Sequence, residues 1–353
     1  MSENNILSKI DVKRILLPVI IGFSVLFFLF RKDFAKIDFS YLKWDENSFF
    51  WLMGAAACMC FRHLFYTVRL HLLSNKFFSL KKALELIFLW EFSTAILPSS
   101  SGGVAASLFF FNKEGLSVGK GIYIMLVNIV LNTIFYVLFL PIFIFIAGPQ
   151  NVHPDFGLLL LDGKLSVLFI ALIIYYFVMI FYGTLIAYGI FVNPQSIQKL
   201  FLKIASLPIL KRFKKTAENL GNDLLTAYSE RKALDNIELL KIFLISIFAW
   251  ISRFTIIICL FKAFDQNPLT FTQAIGFYAK QMFLYMMSLV SPTPGASGVA
   301  EGAFKFLFNE ISPQLLLLLV FLWRIFTYYV YLFSGVFLLP QWISTHFKTK
   351  KNY

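Results

Sequence analysis

The chain reads as an all-α polytopic membrane protein: about six full spans, plus two re-entrant or broken helical hairpins related as inverted repeats. Three observations carry this expectation. Hydrophobic residues make up 59% of the 353 positions and charged residues only 14%, with a mean hydropathy of +0.74, where soluble domains lie near 45–50% and 25%. Several apolar runs reach roughly 20 residues, enough to cross a bilayer as helix. Proline and glycine interrupt two further apolar stretches, and nothing shows the alternating ten-residue segments of an outer-membrane barrel.

The first apolar run, 15–30, follows Lys9, Lys13 and Arg14 and is followed by Arg31-Lys32-Asp33 rather than a small-residue cleavage site. It reads as an uncleaved span. Further spans are expected at 48–68, 120–147, 165–192, 240–264 and 314–339. The tail before the first run, 69–82, 113–120, 193–241 and 341–353 together carry 21 Lys and Arg, against 5 in 31–46, 148–164, 265–270 and 309–313. The positive-inside rule makes the first group cytoplasmic, with both termini on that side of a bacterial inner membrane.

That sidedness constrains the two interrupted stretches, 83–112 and 271–308. Each has both flanks on one side, so each enters and leaves from the same face, either as a re-entrant hairpin or as two shortened crossings. A shift of 195 residues pairs Gly103-Val-Ala105 with Gly298-Val-Ala300, Phe109 with Phe304, Phe111 with Phe306 and Ser117 with Ser312. The chain therefore divides as a single transmembrane domain over 1–353. Within it, 48–147 is a first repeat around hairpin 83–112, and 240–340 an inverted second repeat around hairpin 271–308. Between them, 193–239 reads as a cytoplasmic basic amphipathic linker suited to an anionic leaflet. Topology accounts for the net charge of +13, so nucleic acid is not an expected partner.

Ionisable side chains inside apolar runs are costly and need a partner or a function, at least about 2.5–3.5 kcal/mol each on insertion scales. Here they are Arg62, His63, Glu91, Arg253, Lys280, Glu301, Lys305 and Arg324. Pairing, for example Glu91 with Arg62 and Glu301 with Arg253, leaves a cationic excess that favours a bound anion. After Pro98-Ser99-Ser100-Ser101-Gly102-Gly103 a helix can restart at Val104, and after Pro292-Thr293-Pro294-Gly295-Ala296-Ser297-Gly298 at Val299. Helix N-termini present unpaired N–H groups to anions, and glycine lets backbone approach a ligand. Asn128 and Asn132 share a helix face, as interhelical hydrogen-bonding groups or as cavity lining. Tyr328 lies one turn from Arg324. Cys58, Cys60 and Cys259 read as apolar packing. The sequence has no GxSxG, HExxH, P-loop or metal-ligand spacing, so neither a cofactor nor an enzymatic activity is expected.

Several of these segments resemble a known family. Leu97-Pro-Ser-Ser-Ser-Gly-Gly103 followed by Asn112-Lys-Glu-Gly115 resembles the first motif of the lysylphosphatidylglycerol synthase transmembrane-region family. Ser291-Pro-Thr-Pro-Gly-Ala-Ser-Gly-Val-Ala-Glu-Gly302 resembles its Pro-Thr-Pro-Gly-Gly-x-Gly-x-x-Glu motif. Arg324 with Tyr328-Tyr329 resembles its closing Arg-x-x-x-Tyr-Tyr, and Arg62 or Arg69 its early arginine. The resemblance implies a flippase-like protein: in MprF-type proteins this region moves aminoacylated phosphatidylglycerol between leaflets, beside a soluble synthase domain expected to be absent here. Two positions depart from the pattern. Val104 to Ser107 replace an acidic residue and an arginine, and Ala296 replaces the second glycine.

The expected function is thus transfer of an anionic or aminoacylated phospholipid, or a polyprenyl-phosphate-linked lipid, between leaflets. Membrane lipids are the expected partners. The alternatives are a secondary transporter of a small soluble anion, or a non-catalytic partner of a separate lipid-modifying enzyme.

Overall fold

The computed structural model describes residues 44–97, 100–152, 167–206, 214–230, 235–265 and 268–346. The expected first span and the positions of Pro98 and Ser99 lie outside them. Every regular element among the described residues is helical. Five helical segments are long and apolar enough to cross a membrane: Glu46–Leu73, Val118–Ala147, Ile170–Phe191, Asn236–Phe264 and Pro313–His346. They coincide with the five expected spans that fall in the described residues, and the chain is an all-α polytopic membrane protein.

The first helix, α1 (Glu46–Leu73), runs past the expected end at 68 because nothing interrupts it until Asn75 and Lys76, whose φ angles of 53° and 60° are left-handed and stop the helix. The first interrupted stretch forms α2 (Leu80–Ile96) and α3 (Ser100–Lys113). The break is narrower than expected: helix resumes at Ser100, not Val104. Gly102 and Gly103 are the reason. A Cβ on Gly103 would stand 2.2 Å from Thr94 Oγ1 and 2.9 Å from Thr94 Cα, and one on Gly102 2.7 Å from Leu97 Cβ. Close approach of α3 to the end of α2 requires small residues there, and this packing outweighs their low helix propensity.

Helix α4 (Val118–Ala147) starts at Ser117, whose hydroxyl accepts from the Lys120 N–H, and ends at Gly148 with φ 78°. The short α5 (Pro149–Val152) and the apolar α6 (Val167–Phe191) follow. The expected amphipathic linker folds as a helix pair, α7 (Pro194–Ala205) and α8 (Lys214–Glu230), which pack on each other and against α6, with α8 also against α4. Gln198 Nε2 donates to Asn222 Oδ1 at 3.0 Å between them. Helix α9 (Asn236–Phe264) is the fourth candidate span.

The second interrupted stretch begins with α10 (Phe271–Leu289), closed at its start by a capping box between Thr270 and Gln273. A short 3₁₀ turn, Pro294–Ala296, leads to α11 (Val299–Leu307), which packs back on α10. The last span is α12 (Pro313–Arg324), a π-helical turn at Ile325–Tyr329, and α13 (Val330–His346). Proline at the first turn of α12 suits its fixed φ.

The described residues form two compact units. One takes the described parts of Met1–Cys60, Phe88–Ala106 and Arg253–Tyr353; its core includes Phe92, Phe254, Phe304 and Trp342, each at most 1% exposed. The other comprises the described parts of Phe61–Ile87 and Ser107–Ser252, with Trp250 stacked on Phe135 at 5.7 Å. Helix faces outside these cores carry large apolar side chains such as Phe145, Phe177, Phe181 and Phe337, as helices in contact with acyl chains do.

Candidate functional site

Within the first unit lies a cavity of about 150 Å3, bordered by α2, α9, α10, the loop after α10, and the turn that joins α12 to α13. Its lining follows helical periodicity. Glu91, Thr94 and Ala95 come from α2; Gln281, Tyr285 and Ser288 from α10; Arg324, Thr327, Tyr328 and Tyr331 from the last span. Counted from Glu91, Gln281 and Arg324, these positions fall three, four or seven residues on, so one face of each helix supplies them. Arg253 of α9 completes the charged lining and lies 5.2 Å from the Tyr285 ring centroid.

The loop between α10 and α11 is held by one guanidinium. Arg324 Nε donates to Glu301 Oε1 at 2.6 Å, Nη1 to the Gly295 carbonyl at 3.0 Å and Nη2 to the Ala296 carbonyl at 3.4 Å. The other carboxylate oxygen of Glu301 accepts from the Gly298 N–H at 2.6 Å. Both side chains are about 5% exposed or less. Pairing and full hydrogen bonding are what make a buried ion pair tolerable. The backbone turns sharply here: Gly295 and Gly298 have φ of 57° and 86°. A Cβ on Gly295 would lie 2.0 Å from the Tyr328 ring, whereas one on Gly298 would meet nothing, so only conformation demands glycine at the latter. Tyr328 donates to the Ala95 carbonyl at 3.3 Å, which ties the last span to α2.

Two sequence expectations are corrected. Glu301 pairs with Arg324, not with Arg253. The first N–H at the start of α11 does not await an anion, because the Glu301 carboxylate already caps it through Gly298. Arg324 and Glu301 therefore act first as positioning residues that shape the cavity wall.

The other predicted residues divide. Glu91, Arg253, Thr293, Gly295, Arg324 and Tyr328 line the cavity. Thr293 donates to the Ser297 carbonyl at 2.8 Å and accepts from the Ser291 hydroxyl at 2.7 Å. Pro292 is exposed beside it and Pro294 opens the 3₁₀ turn. Gly102 and Gly103 serve the contact between α2 and α3, and Ser100 is the first residue of α3. Lys280 is 2% exposed, but it forms an ion pair with Glu310 above the Phe277 and Phe308 rings and is not part of the cavity wall.

Arg62, Asn128 and Asn132 belong to the second unit. Arg62 is buried over the Tyr66 ring at 5.0 Å. Asn132 Oδ1 accepts from Arg69 Nη1 at 3.3 Å and from Trp250 Nε1 at 3.1 Å, a polar cluster between helices, and Asn128 is buried one turn before it.

Sequence reasoning passed over Gln281, Tyr285, Ser288 and Thr327. Their signal was the spacing itself: reading out from Arg324 or from Lys280's neighbour at helical intervals recovers these polar positions.

A polytopic helical membrane protein with a charged, hydroxyl-lined cavity behind an Arg–Glu-braced loop defines the class. The chain belongs to the lysylphosphatidylglycerol synthase transmembrane-region family, whose sequence model matches residues 15–335. It is 26% identical over 338 residues to a UPF0104 membrane protein of Archaeoglobus fulgidus, covering 91% of this chain and 94% of that one. No solved structure matches it.

Proposed function

We propose that this protein moves a lipid with an anionic headgroup, a phospholipid or a polyprenyl-phosphate-linked lipid, between the leaflets of a bacterial inner membrane. Both termini would lie in the cytoplasm. The observation that carries this reading is the cavity: Arg253 and Glu91 place charge in the lining of a pocket in a family matched by its membrane region. The apolar outer faces of the helices give acyl chains a matching environment while a headgroup occupies the pocket. Arg253, in the cavity lining, supplies the charge that an anionic headgroup needs, and the Arg324–Glu301 pair braces the loop beside it. Glu91 orients or balances that charge. The role is transport rather than catalysis.

The test is leaflet exchange of a fluorescent phosphatidylglycerol in reconstituted vesicles, comparing wild type with Arg253→Gln and Glu91→Gln. A charge-assisted hydrogen bond is worth roughly 1.5–3 kcal/mol, so Arg253→Gln should slow exchange about tenfold or more, with Glu91→Gln also slower and both proteins monodisperse. Wild-type rates in both variants would remove the cavity from the function.

A further inference from the structure

Six of the hydroxyl groups around the cavity share one property. Thr94 donates to the Trp90 carbonyl, Ser288 to the Leu284 carbonyl, Thr327 to the Trp323 carbonyl and Tyr328 to the Ala95 carbonyl. Thr293 donates to the Ser297 carbonyl, which makes Ser291 the donor in the Ser291–Thr293 bond. A hydroxyl has a single proton, so all six have committed theirs to the protein and offer only lone pairs to whatever fills the cavity. Gln281 is the opposite case. It lines the same cavity, is 2% exposed, and its Nε2 has no hydrogen-bond partner among the described residues. A buried amide left in this state is costly unless a ligand satisfies it.

A ligand that fits must donate to these six hydroxyl oxygens and also accept from an amide N–H. Alkyl phosphate alone has acceptors but no donors in its doubly ionised form. An ammonium has donors but no acceptor. A hydroxyl group does both. We infer that Gln281 is a specificity-determining residue that hydrogen-bonds a hydroxyl of a polyol-bearing headgroup, such as a glycerol or sugar attached to the phosphate. This rests on the lipid-transfer reading and refines it.

The experiment is retention of ligands by the purified full chain, measured by native mass spectrometry in competition. The probes are phosphatidylglycerol, phosphatidylethanolamine and phosphatidic acid with identical acyl chains, and water-soluble glycerol 3-phosphate. Wild type should retain phosphatidylglycerol about tenfold over phosphatidic acid, the scale of one or two neutral hydrogen bonds. In the near-isosteric Gln281→Met the ratio should fall to about threefold or less, with helical content and a monodisperse elution profile as the check on folding. Equal retention of both lipids by wild type, or a preference that survives Gln281→Met, overturns the inference. So does phosphatidylethanolamine ahead of phosphatidylglycerol, which would assign the donors to an ammonium. Retention of glycerol 3-phosphate ahead of every lipid, if lost in Gln281→Met, upholds the hydroxyl contact and overturns the lipid reading alone. Retention of no probe overturns both.

Discussion

Arg324 and Glu301 show how a pair of charges in an apolar chain is made tolerable and what it does there. Each hydrogen bond of the guanidinium falls on Glu301 or on a carbonyl of the loop it braces, so the pair sets backbone shape. Removing one member leaves the other buried and uncompensated, at a cost of about 3–5 kcal/mol. Glu301→Gln is expected to lower unfolding stability in detergent by about 3 kcal/mol. Arg324→Gln should then cost much less in the Glu301→Gln background than alone, and additive losses would contradict the pairing.

Ala296 offers a test of opposite sign. It holds a φ of 55° at the position where the resembling motif has glycine, and left-handed backbone strains a non-glycine residue by roughly 1–2 kcal/mol. Ala296→Gly should therefore raise stability by about 1 kcal/mol after the entropic loss that glycine brings, read as a higher melting temperature. At this scale the sequence was partly legible. Arg324 and Glu301 stood out as charges in apolar runs, but their pairing did not, because composition cannot rank Arg324 against Arg253 as a partner. Gln281 was overlooked because an uncharged amide beside a lysine carries less apparent cost, although the structure gives the lysine to Glu310 and the amide to the cavity.

At the scale of elements, the two interrupted stretches were the most legible features, since proline and glycine inside an apolar run mark a break in the helix. The exact restart of α3 was not. Ser-Ser-Gly-Gly is poor helix sequence, and only the contact with Thr94 and Leu97 accounts for its helicity. Gly103→Ala should thus destabilise the protein by about 1–3 kcal/mol through overpacking, despite alanine's better propensity, and unfolding in detergent would show it.

The start of α2 carries a different constraint. Lys82 Nζ reaches Glu85 and Glu114, each at 2.9 Å. Burial pulls its pKa down, but the two carboxylates outweigh this and hold it above the ordinary lysine value. A raised folded pKa means the pair's stabilisation is complete below the unfolded lysine value, near 10.4, and is lost as pH rises through the folded one. For a partly exposed pair Lys82→Met should cost about 1 kcal/mol or less, and should flatten the fall in melting temperature above about pH 10. An unchanged pH profile would remove Lys82 from that account. The linker illustrates the limit of reading an element alone: α7 has the amphipathic pattern of a surface helix, yet it packs on α8 and α6, and a tertiary partner is invisible in a helical wheel.

For the whole molecule, the class was legible because bilayer thickness and the cost of exposed backbone leave few architectures for so apolar a chain. The motifs at Leu97–Gly103, Ser291–Gly302 and Arg324–Tyr329 placed it in its family, and the match over residues 15–335 agrees. What the sequence did not disclose is which polar groups meet: Arg324 pairs with Glu301 at the wall, and Arg253, Glu91 and Gln281 line the same space. Lipid transfer through this space is tested most directly by the leaflet-exchange rate of fluorescent phosphatidylglycerol in vesicles containing purified wild-type protein, with protein-free vesicles alongside. Exchange that rises in proportion to protein copies per vesicle is the predicted result. A rate equal to that of empty vesicles, with the protein folded and inserted, would contradict it.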